Sequence, residues 1–461
     1  MKPQRWVGAV LAIVVAVFGV PVAGAVPPPV VDPGAAPLPG LPAHPPEEAV
    51  QRSQCAKPVL TGGLPKTAPR AQRILDLPSA WKFSTGVGQT VAVIDTGVNQ
   101  HPRLPGLIPG GDYVSGTDGT LDCDGHGTLV AGLIAAQPSP DDAFSGVAPD
   151  AAILSIRQLS LEYEAKDYNN RPGPVAMSSG GFGNVFTLAL AVERAVDLHA
   201  SVINISEVAC AAAGTDLGDG VLGAAVEYAY EHDVVVVAAA GNVQQDGACK
   251  AQNDGTGWDA VRTVASPAWF SPYVMSVAST DDNGEPSSFS LDGPWVSVAA
   301  PGTNLYSLDS TPGGTGLVNG IPAADGAANG INGTSFASAY VAGVVALVRS
   351  RFPNLTAAQV MERVVRTAHA PGPGRDDRLG YGIVDPVAAL TAQIPDSSAA
   401  DGASRARAVA PPQVARPVDP LPRRIALIVA IACAVALAAG SALAVAFRGR
   451  RHRRLTEGVD Y

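Results

Sequence analysis

Short apolar runs alternate with longer Ala-rich stretches through the middle of the chain, from about residue 74 to residue 392. The apolar runs predict strands at residues 90–94, 152–156, 202–205 and 234–239. The Ala-rich stretches predict helices at residues 186–199 and 221–231. This alternation is typical of a parallel sheet covered by helices on both faces. We therefore expect an α/β domain with a doubly wound, mainly parallel sheet.

The N-terminal end of the chain predicts export. Lys2 and Arg5 precede an apolar run at residues 7–20, which is too short to span a bilayer. Ala23-Gly24-Ala25 then provides the small residues that a signal peptidase accepts. Residues 1–25 therefore predict a signal peptide that is cleaved after Ala25.

Near the C-terminus, residues 425–447 contain no charged side chain. At about 1.5 Å per residue, a helix of this length spans a hydrocarbon layer of roughly 30 Å. A buried core helix is the alternative, but the arginine-rich stretch that follows favours a transmembrane helix. Five arginines follow the span and only Arg423 and Arg424 precede it, so we expect residues 448–461 to be a cytoplasmic tail. The rest of the mature chain would lie outside the cytoplasmic membrane.

Three segments flank or interrupt the apolar pattern. Residues 26–79 form a Pro-rich N-terminal extension that is too short and too rich in proline for a globular pro-domain, and we expect the mature protein to retain it. Residues 80–392 form the predicted catalytic domain, and residues 393–424, rich in Ala and Pro, form a spacer before the membrane. Residues 158–183 predict a long surface loop, either a flap near the substrate or a passive insertion.

Charge and cysteines narrow the function further. Residues 26–422 hold 22 Lys and Arg against 39 Asp and Glu, a formal charge of −17, which excludes nucleic acid as a partner and favours neutral or basic proteins. Cys433 falls in the predicted membrane helix. The four exported cysteines lack metal-finger spacing and predict two disulfides, with three pairings open. They are Cys55, Cys123, Cys210 and Cys249.

No cofactor or metal site is expected from the sequence. We find no clustered Asp and Asn loop that would bind calcium. Asp122 and Asp124 flank Cys123, and they either face solvent or support neighbouring side chains.

Three separated motifs predict one hydrolytic reaction. Asp95 ends an apolar strand, His126 lies between two glycines, and Ser335 opens a helix. A serine nucleophile needs an imidazole to accept its proton and a carboxylate to fix the tautomer of that imidazole. The chain order Asp, His, Ser is that of subtilisin, and it differs from the orders of chymotrypsin and the α/β-hydrolases.

Asn242 supplies a fourth element of the predicted site. It follows the strand that ends in Ala238-Ala239-Ala240-Gly241. A tetrahedral intermediate needs donors for its oxyanion, and the side-chain amide of Asn242 with the backbone amide of Ser335 can provide them. An asparagine after glycine is by itself a common turn residue. The prediction therefore depends on the presence of Asp95, His126 and Ser335 in the same chain.

Together these motifs resemble the subtilisin-like serine proteases over about residues 80–390. The whole layout is similar to one branch, the mycosins, which are membrane-anchored proteases associated with mycobacterial type VII secretion. The resemblance implies a subtilisin-like fold and serine endopeptidase activity. It also implies pairing of Cys55 with Cys123 and of Cys210 with Cys249, so that the first bridge holds the extension beside His126.

The chain departs from the family pattern at two places. Ala339 stands where the family usually has proline four residues after the nucleophile, which should not change the chemistry. Ser206 ends the segment matching the substrate-binding strand, but Glu207 and Val208 follow where an apolar residue and glycine are common. Their bulk and charge predict a narrowed pocket and restricted specificity, unless the loop takes another route and neither residue meets substrate.

Two functions follow from these expectations. The first is a membrane-anchored serine endopeptidase that processes a few exported proteins and is associated with a type VII secretion complex. The second is a structural or stabilising subunit of that machine, for which proteolysis is dispensable.

Overall fold

The structure, a computed structural model, describes residues 26–37, 39–167, 180–244, 248–322, 327–394 and 433–441. Its strands are β1 Ala49–Gln51, β2 Thr90–Asp95, β3 Leu107–Asp112, β4 Ala152–Arg157, β5 Tyr163–Ala165, β6 Val202–Ile205, β7 Ala209–Ala212, β8 Val235–Ala239, β9 Thr263–Ser266, β10 Val274–Thr280, β11 Val296–Pro301, β12 Ser307–Leu308, β13 Leu317–Val318, β14 Gly320–Pro322 and β15 Ala328–Gly330. Its α-helices are α1 Arg70–Ile74, α2 Leu77–Ala80, α3 His126–Ala135, α4 Val185–Asp197, α5 Gly220–Glu231, α6 Thr334–Arg351, α7 Ala357–Thr367 and α8 Pro386–Thr391. Short 3-10 turns occur at Pro33–Ala35 and Trp258–Ala260.

Seven strands form a parallel sheet in the order β11, β10, β8, β6, β2, β4, β3. The α/β class with a parallel sheet that the sequence predicts is confirmed. Each predicted strand is present, and the boundaries differ by a residue: β2 includes Asp95, β4 includes Arg157, and β8 begins at Val235.

Helices cover both faces of this sheet, as the apolar runs require. One face packs against α3, α6, α7 and α8 through a buried cluster that includes Val91 and Val93. The opposite face packs against α4 and α5 through a second cluster that includes Ala92 and Ile94. Successive side chains of β2 therefore enter opposite cores, which explains why the strand sequence is apolar throughout.

The sheet order places the end of β2 at a topological switch. From β2, the strands β4 and β3 continue to one side and β6, β8 and β10 to the other. In open parallel sheets, sites form in the crevice beyond the carboxyl ends of the strands at such a switch. β2 ends at Asp95, β6 runs directly into Ser206, and β8 ends three residues before Asn242.

The N-terminal extension lies along the surface of the domain in the part that is described. Its strand β1 pairs antiparallel with β5, which belongs to the loop of residues 158–183. Val26 is buried, and Asp197 of α4 accepts a hydrogen bond from the amide of Gly40 at 2.7 Å. The described part of the extension before α1 therefore contributes no globular core of its own, whereas Leu75 and Leu77, beside and in α1 and α2, pack into the core of the domain.

Residues from 394 onward form a separate unit, of which residues 433–441 are described and helical. In the described parts of the chain, no helix combines the length and the apolar character needed to cross a membrane. The predicted signal peptide at residues 1–25, nearly all of the spacer at 393–424, the tail at 448–461 and the rest of the predicted span at 425–447 lie outside the described residues.

Candidate active site

Asp95, His126 and Ser335 meet at the carboxyl edge of the sheet. Asp95 Oδ1 lies 2.8 Å from His126 Nδ1, and His126 Nε2 lies 3.0 Å from Ser335 Oγ. Asp95 is fully buried, Ser335 is nearly so, and 22% of the His126 side chain is exposed. An imidazole bonded to a carboxylate on one side and to a hydroxyl on the other can take a proton from that hydroxyl.

Glycines beside His126 allow this close approach. A Cβ atom at Gly127 would lie 2.0 Å from the carbonyl oxygen of Gly97 and 3.2 Å from Cβ of Asp95. Gly125 has φ +79, and a Cβ there would lie 2.5 Å from Ser310 Oγ. A side chain at Gly127 would push the start of α3 away from the end of β2, and one at Gly125 would collide with Ser310. His126 is itself the first residue of α3.

Asp122 supports the His126 turn, a role that sequence reasoning left open. Its carboxylate is buried and accepts hydrogen bonds from the Gly125 amide, from Thr96 Oγ1, and from the amide and hydroxyl of Thr128. Burial raises the pKa of Asp122 to about 6, against the opposing effect of the hydrogen bonds from Thr128 and Thr96. Asp122 therefore faces the protein interior, where it joins the turn before His126 to the residue after Asp95.

The surroundings of His126 make it a stronger base than free histidine. Burial by itself lowers the pKa of His126, but the charge and hydrogen bond of Asp95 together with the charges of Glu207 and Asp122 raise it to about 9. The ring of Phe336 lies 5.1 Å from the imidazole, centroid to centroid, and limits its movement. Glu207 thus acts on the imidazole through its charge.

Asn242 and the start of α6 lie together beside Ser335. Asn242 Oδ1 accepts hydrogen bonds from the amide and the hydroxyl of Thr334, both at 3.0 Å. These bonds fix the carboxamide with its oxygen toward Thr334, which leaves the NH2 group for another acceptor. The Ser335 amide is in the first turn of α6, where backbone amides have no acceptor within the helix. The two donors suit an oxyanion.

A cleft of about 300 Å³ opens in front of Ser335. Ser206, Glu207 and Val208 all line it, so the loop after β6 does not take a route away from the site. Its other lining residues are His126, Leu161, Ala239, Gly241, Asn242, Gln244, Ala248, Cys249, Ile321, Asn332, Thr334, Ser335 and Phe336.

Val208 narrows the cleft beside Asn242. Its side chain is 6% exposed, and its Cγ2 lies 3.5 Å from the position that a Cβ at Gly241 would take. A glycine at position 208 would leave this volume open. Glu207 is half-buried and is the one acidic side chain among the described lining residues.

Both disulfides lie near the site. Cys55 bonds to Cys123 and Cys210 bonds to Cys249, the pairing that the family resemblance implies. Cys123 precedes His126 by three residues, and Cys249 lines the cleft. The described residues contain no group of His, Cys, Asp and Glu side chains arranged to hold a metal.

The first residues of the 158–183 loop reach the cleft. Asp124 accepts hydrogen bonds from Ser160 Oγ and from the amide of Leu161, both at 2.5 Å, and Leu161 lines the cleft. Asp124, whose role the sequence left open, lies two residues before His126. Its hydrogen bonds hold the start of this loop beside the cleft. Residues 168–179 of the loop lie outside the described part of the chain.

The sequence pattern of the subtilase family, Peptidase S8, matches residues 86–382. The chain therefore belongs to the subtilases, a family of serine proteases, and has their α/β fold with a seven-stranded parallel sheet. Mycosin-3 of Mycobacterium tuberculosis is 43% identical over 462 residues, which cover 96% of this chain and 97% of that protein. Mycosin-4 of the same organism is 47% identical over 388 residues, covering 83% and 82%. Within the subtilases, the chain is a member of the mycosins.

Solved structures agree with this assignment. The MycP3 protease from the type VII (ESX-3) secretion system is 48% identical and superimposes with a TM-score of 0.74, covering 80% of this chain and 100% of that one. A chain of an intact ESX-5 inner membrane complex is 41% identical with a TM-score of 0.75, covering 92% and 100%.

The position of Glu207 predicts an effect on the pH dependence of catalysis. His126 must be neutral to accept a proton, so kcat/KM should rise with pH through the pKa of His126. Glu207→Gln removes a negative charge that raises this pKa, so the rise should move to lower pH by roughly 0.5 to 1 pH unit. Exposed Glu285→Gln is the matched control and should leave the profile in place. An unchanged profile in Glu207→Gln contradicts this electrostatic role.

Proposed function

We propose that this protein is a serine endopeptidase of narrow specificity that cleaves a few exported proteins outside the cytoplasmic membrane. The observation that carries the proposal is the pair of hydrogen bonds that joins Asp95 to His126 and His126 to Ser335. Ser335 is the nucleophile, His126 the general base, and Asp95 the group that fixes the imidazole tautomer.

The geometry supports acyl transfer in two steps. His126 Nε2 accepts the Ser335 proton as Oγ attacks the scissile carbonyl carbon, and the resulting oxyanion is held by Asn242 and the Ser335 amide. The protonated imidazole then gives its proton to the leaving amine as the C–N bond breaks. Water, activated by the same imidazole, attacks the acyl-enzyme and restores the Ser335 hydroxyl.

The narrow specificity is assigned to the segment after β6. Ser206, Glu207 and Val208 form one wall of the cleft, where the substrate chain before the scissile bond would bind. Val208 fills space beside Gly241, which favours a small side chain next to the scissile carbonyl. Bulky residues at that substrate position would meet Val208 before the carbonyl reaches Ser335.

The cellular setting is proposed from the relatives and from the ends of the chain. Similar proteins are described as a protease of the type VII (ESX-3) secretion system and as part of an ESX-5 inner membrane complex. The uncharged stretch at residues 425–447, followed by arginines, supports a single-pass anchor in the bilayer with a cytoplasmic C-terminus. A signal peptide at residues 1–25, an extension at 26–79, a peptidase domain at 80–392, a spacer at 393–424 and a tail at 448–461 complete this organisation.

Replacement of the nucleophile tests the enzymatic proposal. Ser335→Ala should abolish both peptide cleavage and covalent labelling by a fluorophosphonate, because no other group then presents an activated oxygen to the substrate. Ser350→Ala, near the far end of the same helix, is the control and should retain both. Labelling that persists in Ser335→Ala would place the nucleophile elsewhere and contradict the assignment.

A structural role in the secretion machine is the second candidate. It is favoured by the similarity, over 92% of this chain, to a component of an intact ESX-5 inner membrane complex. A protein can stabilise such an assembly through its anchor and surface without using its catalytic serine, so the two functions are compatible.

Comparison of a deletion with the point mutant separates the two roles. If the structural role is the essential one, cells that carry Ser335→Ala should secrete type VII substrates at close to the wild-type level, while cells that lack the whole protein should not. Immunoblots of culture filtrates measure this, with equal amounts of membrane-bound protein as the control. Equal secretion failure in both strains contradicts the structural role.

A further inference from the structure

The extension connects two segments at the edge of the catalytic cleft. We define the strap as residues 55–61. At its first end, Cys55 is joined to Cys123 by a disulfide and the amide of Ala56 donates to the Cys123 carbonyl at 2.8 Å. A Cβ at Gly125 would lie 3.8 Å from Cβ of Ala56. The strap therefore begins directly against the turn that carries His126.

The other end of the strap holds a hairpin made of β14 and β15. The amide of Val59 donates to the Gly320 carbonyl at 2.8 Å, and the amides of Asn319 and Gly320 donate back to Val59. Thr61 donates to Asn319 Oδ1 from its amide at 2.7 Å and from its hydroxyl at 3.1 Å, while Asn319 Nδ2 donates to the Thr61 carbonyl at 3.0 Å. Backbone and side-chain hydrogen bonds together therefore hold this end of the strap against the hairpin.

This hairpin leads straight into the nucleophile segment. β15 ends at Gly330, five residues before Ser335, and Ile331 pairs with Leu305 in the domain. Ile321 in β14 lines the cleft with Ser335 and His126, and it keeps 39% of its surface exposed. An apolar side chain held open to solvent at the edge of a catalytic cleft is available to contact a substrate.

The chemistry decides which part of the substrate Ile321 would meet. Asn242 and Val208 lie on the side of the cleft that receives the scissile carbonyl and the substrate residues before it. His126 must reach the leaving amine to protonate it, so the residues after the scissile bond lie toward the His126 side. Ala56 contacts Cys123 and Val59 contacts Gly320, so three residue steps, at most about 11 Å of extended chain, separate the turn before His126 from the hairpin. The hairpin, with Ile321, therefore lies on the leaving-group side of the cleft.

We propose that Ile321 is a binding site for an apolar side chain of the substrate, one to three residues after the scissile bond, and that the strap positions it. The inference rests on the proposed endopeptidase function. Ile321 touches the substrate, whereas Asn319 and Thr61 are positioning residues that act through the hairpin. The extension thereby becomes part of the substrate-binding surface and remains in the active enzyme.

Cleavage of a peptide library tests this proposal without a known substrate. The probe is a tryptic digest of a bacterial proteome, and mass spectrometry identifies the new ends made by the full-length enzyme in detergent. Wild type should favour Leu, Ile, Val or Phe in the first three positions after the cleaved bond, by up to roughly tenfold over their frequency in the library. Ile321→Ser should lose this preference and keep the profile before the bond.

Two further variants separate positioning from general stability. Asn319→Ala removes the side chain that forms three hydrogen bonds with Thr61 and should lose the apolar preference, whereas Thr61→Ser keeps all three groups on its side and should retain it. Ile108→Ser changes an equally exposed isoleucine in β3, at 40% exposure, and should leave both profiles unchanged. Retained labelling by fluorophosphonate shows that each variant is folded.

Three results would overturn the inference. Wild type without an apolar preference after the bond contradicts the site at Ile321, and so does an Ile321→Ser profile that changes equally on both sides of the bond. Unchanged preference in a folded Asn319→Ala contradicts the positioning role of the strap. A library with no Ser335-dependent cleavage instead contradicts the proposed function itself, and the inference falls with it.

Discussion

The 2.8 Å hydrogen bond between Asp95 and His126 is the constraint on which the rest of the site depends. This bond requires the end of β2 and the start of α3 to lie very close together. A side chain on the backbone where they meet would not fit. Gly127 meets that requirement, since a Cβ there would overlap the Gly97 carbonyl. Because β2 is buried on both faces, Asp95 is held rigidly. Its hydrogen bond in turn restrains the His126 imidazole. Ser335 is then placed by a different helix against a base that is already oriented.

Apart from the hydrogen bond between Asp95 and His126, several other interactions hold the segments around the cleft in place. Asp122 joins the turn before His126 to Thr96, and the Cys55–Cys123 disulfide ties the same turn to the extension. The strap continues to the hairpin that precedes Ser335. A surface segment that is fastened both to the turn before His126 and to the hairpin before Ser335 restrains the spacing between them. Val208 lines the cleft at the side of Asn242.

The sequence predicted the sheet, the order of the motifs and the residues that meet at its edge, because each lies where an apolar strand ends or a helix begins. The role of Asp122 stayed open between a solvent-facing and a supporting side chain, since a carboxylate between a loop and a cysteine has the same local pattern whether it is exposed or buried. The bonds from Thr61 to Asn319 join residues 258 positions apart. Both lie in stretches without apolar periodicity, so only the folded chain brings them together. Glu207 and Val208 stood out as departures from a family pattern, and the structure places both in the cleft.

The turnover number of Asp95→Asn tests the central claim most directly. If Asp95 acts by fixing the imidazole so that Nε2 is free to accept the Ser335 proton, asparagine should preserve the packing yet favour the wrong tautomer. We predict a fall in kcat of roughly 10⁴-fold at neutral pH in a variant that stays folded with its disulfides intact. A loss of less than about tenfold in a folded variant would contradict the account.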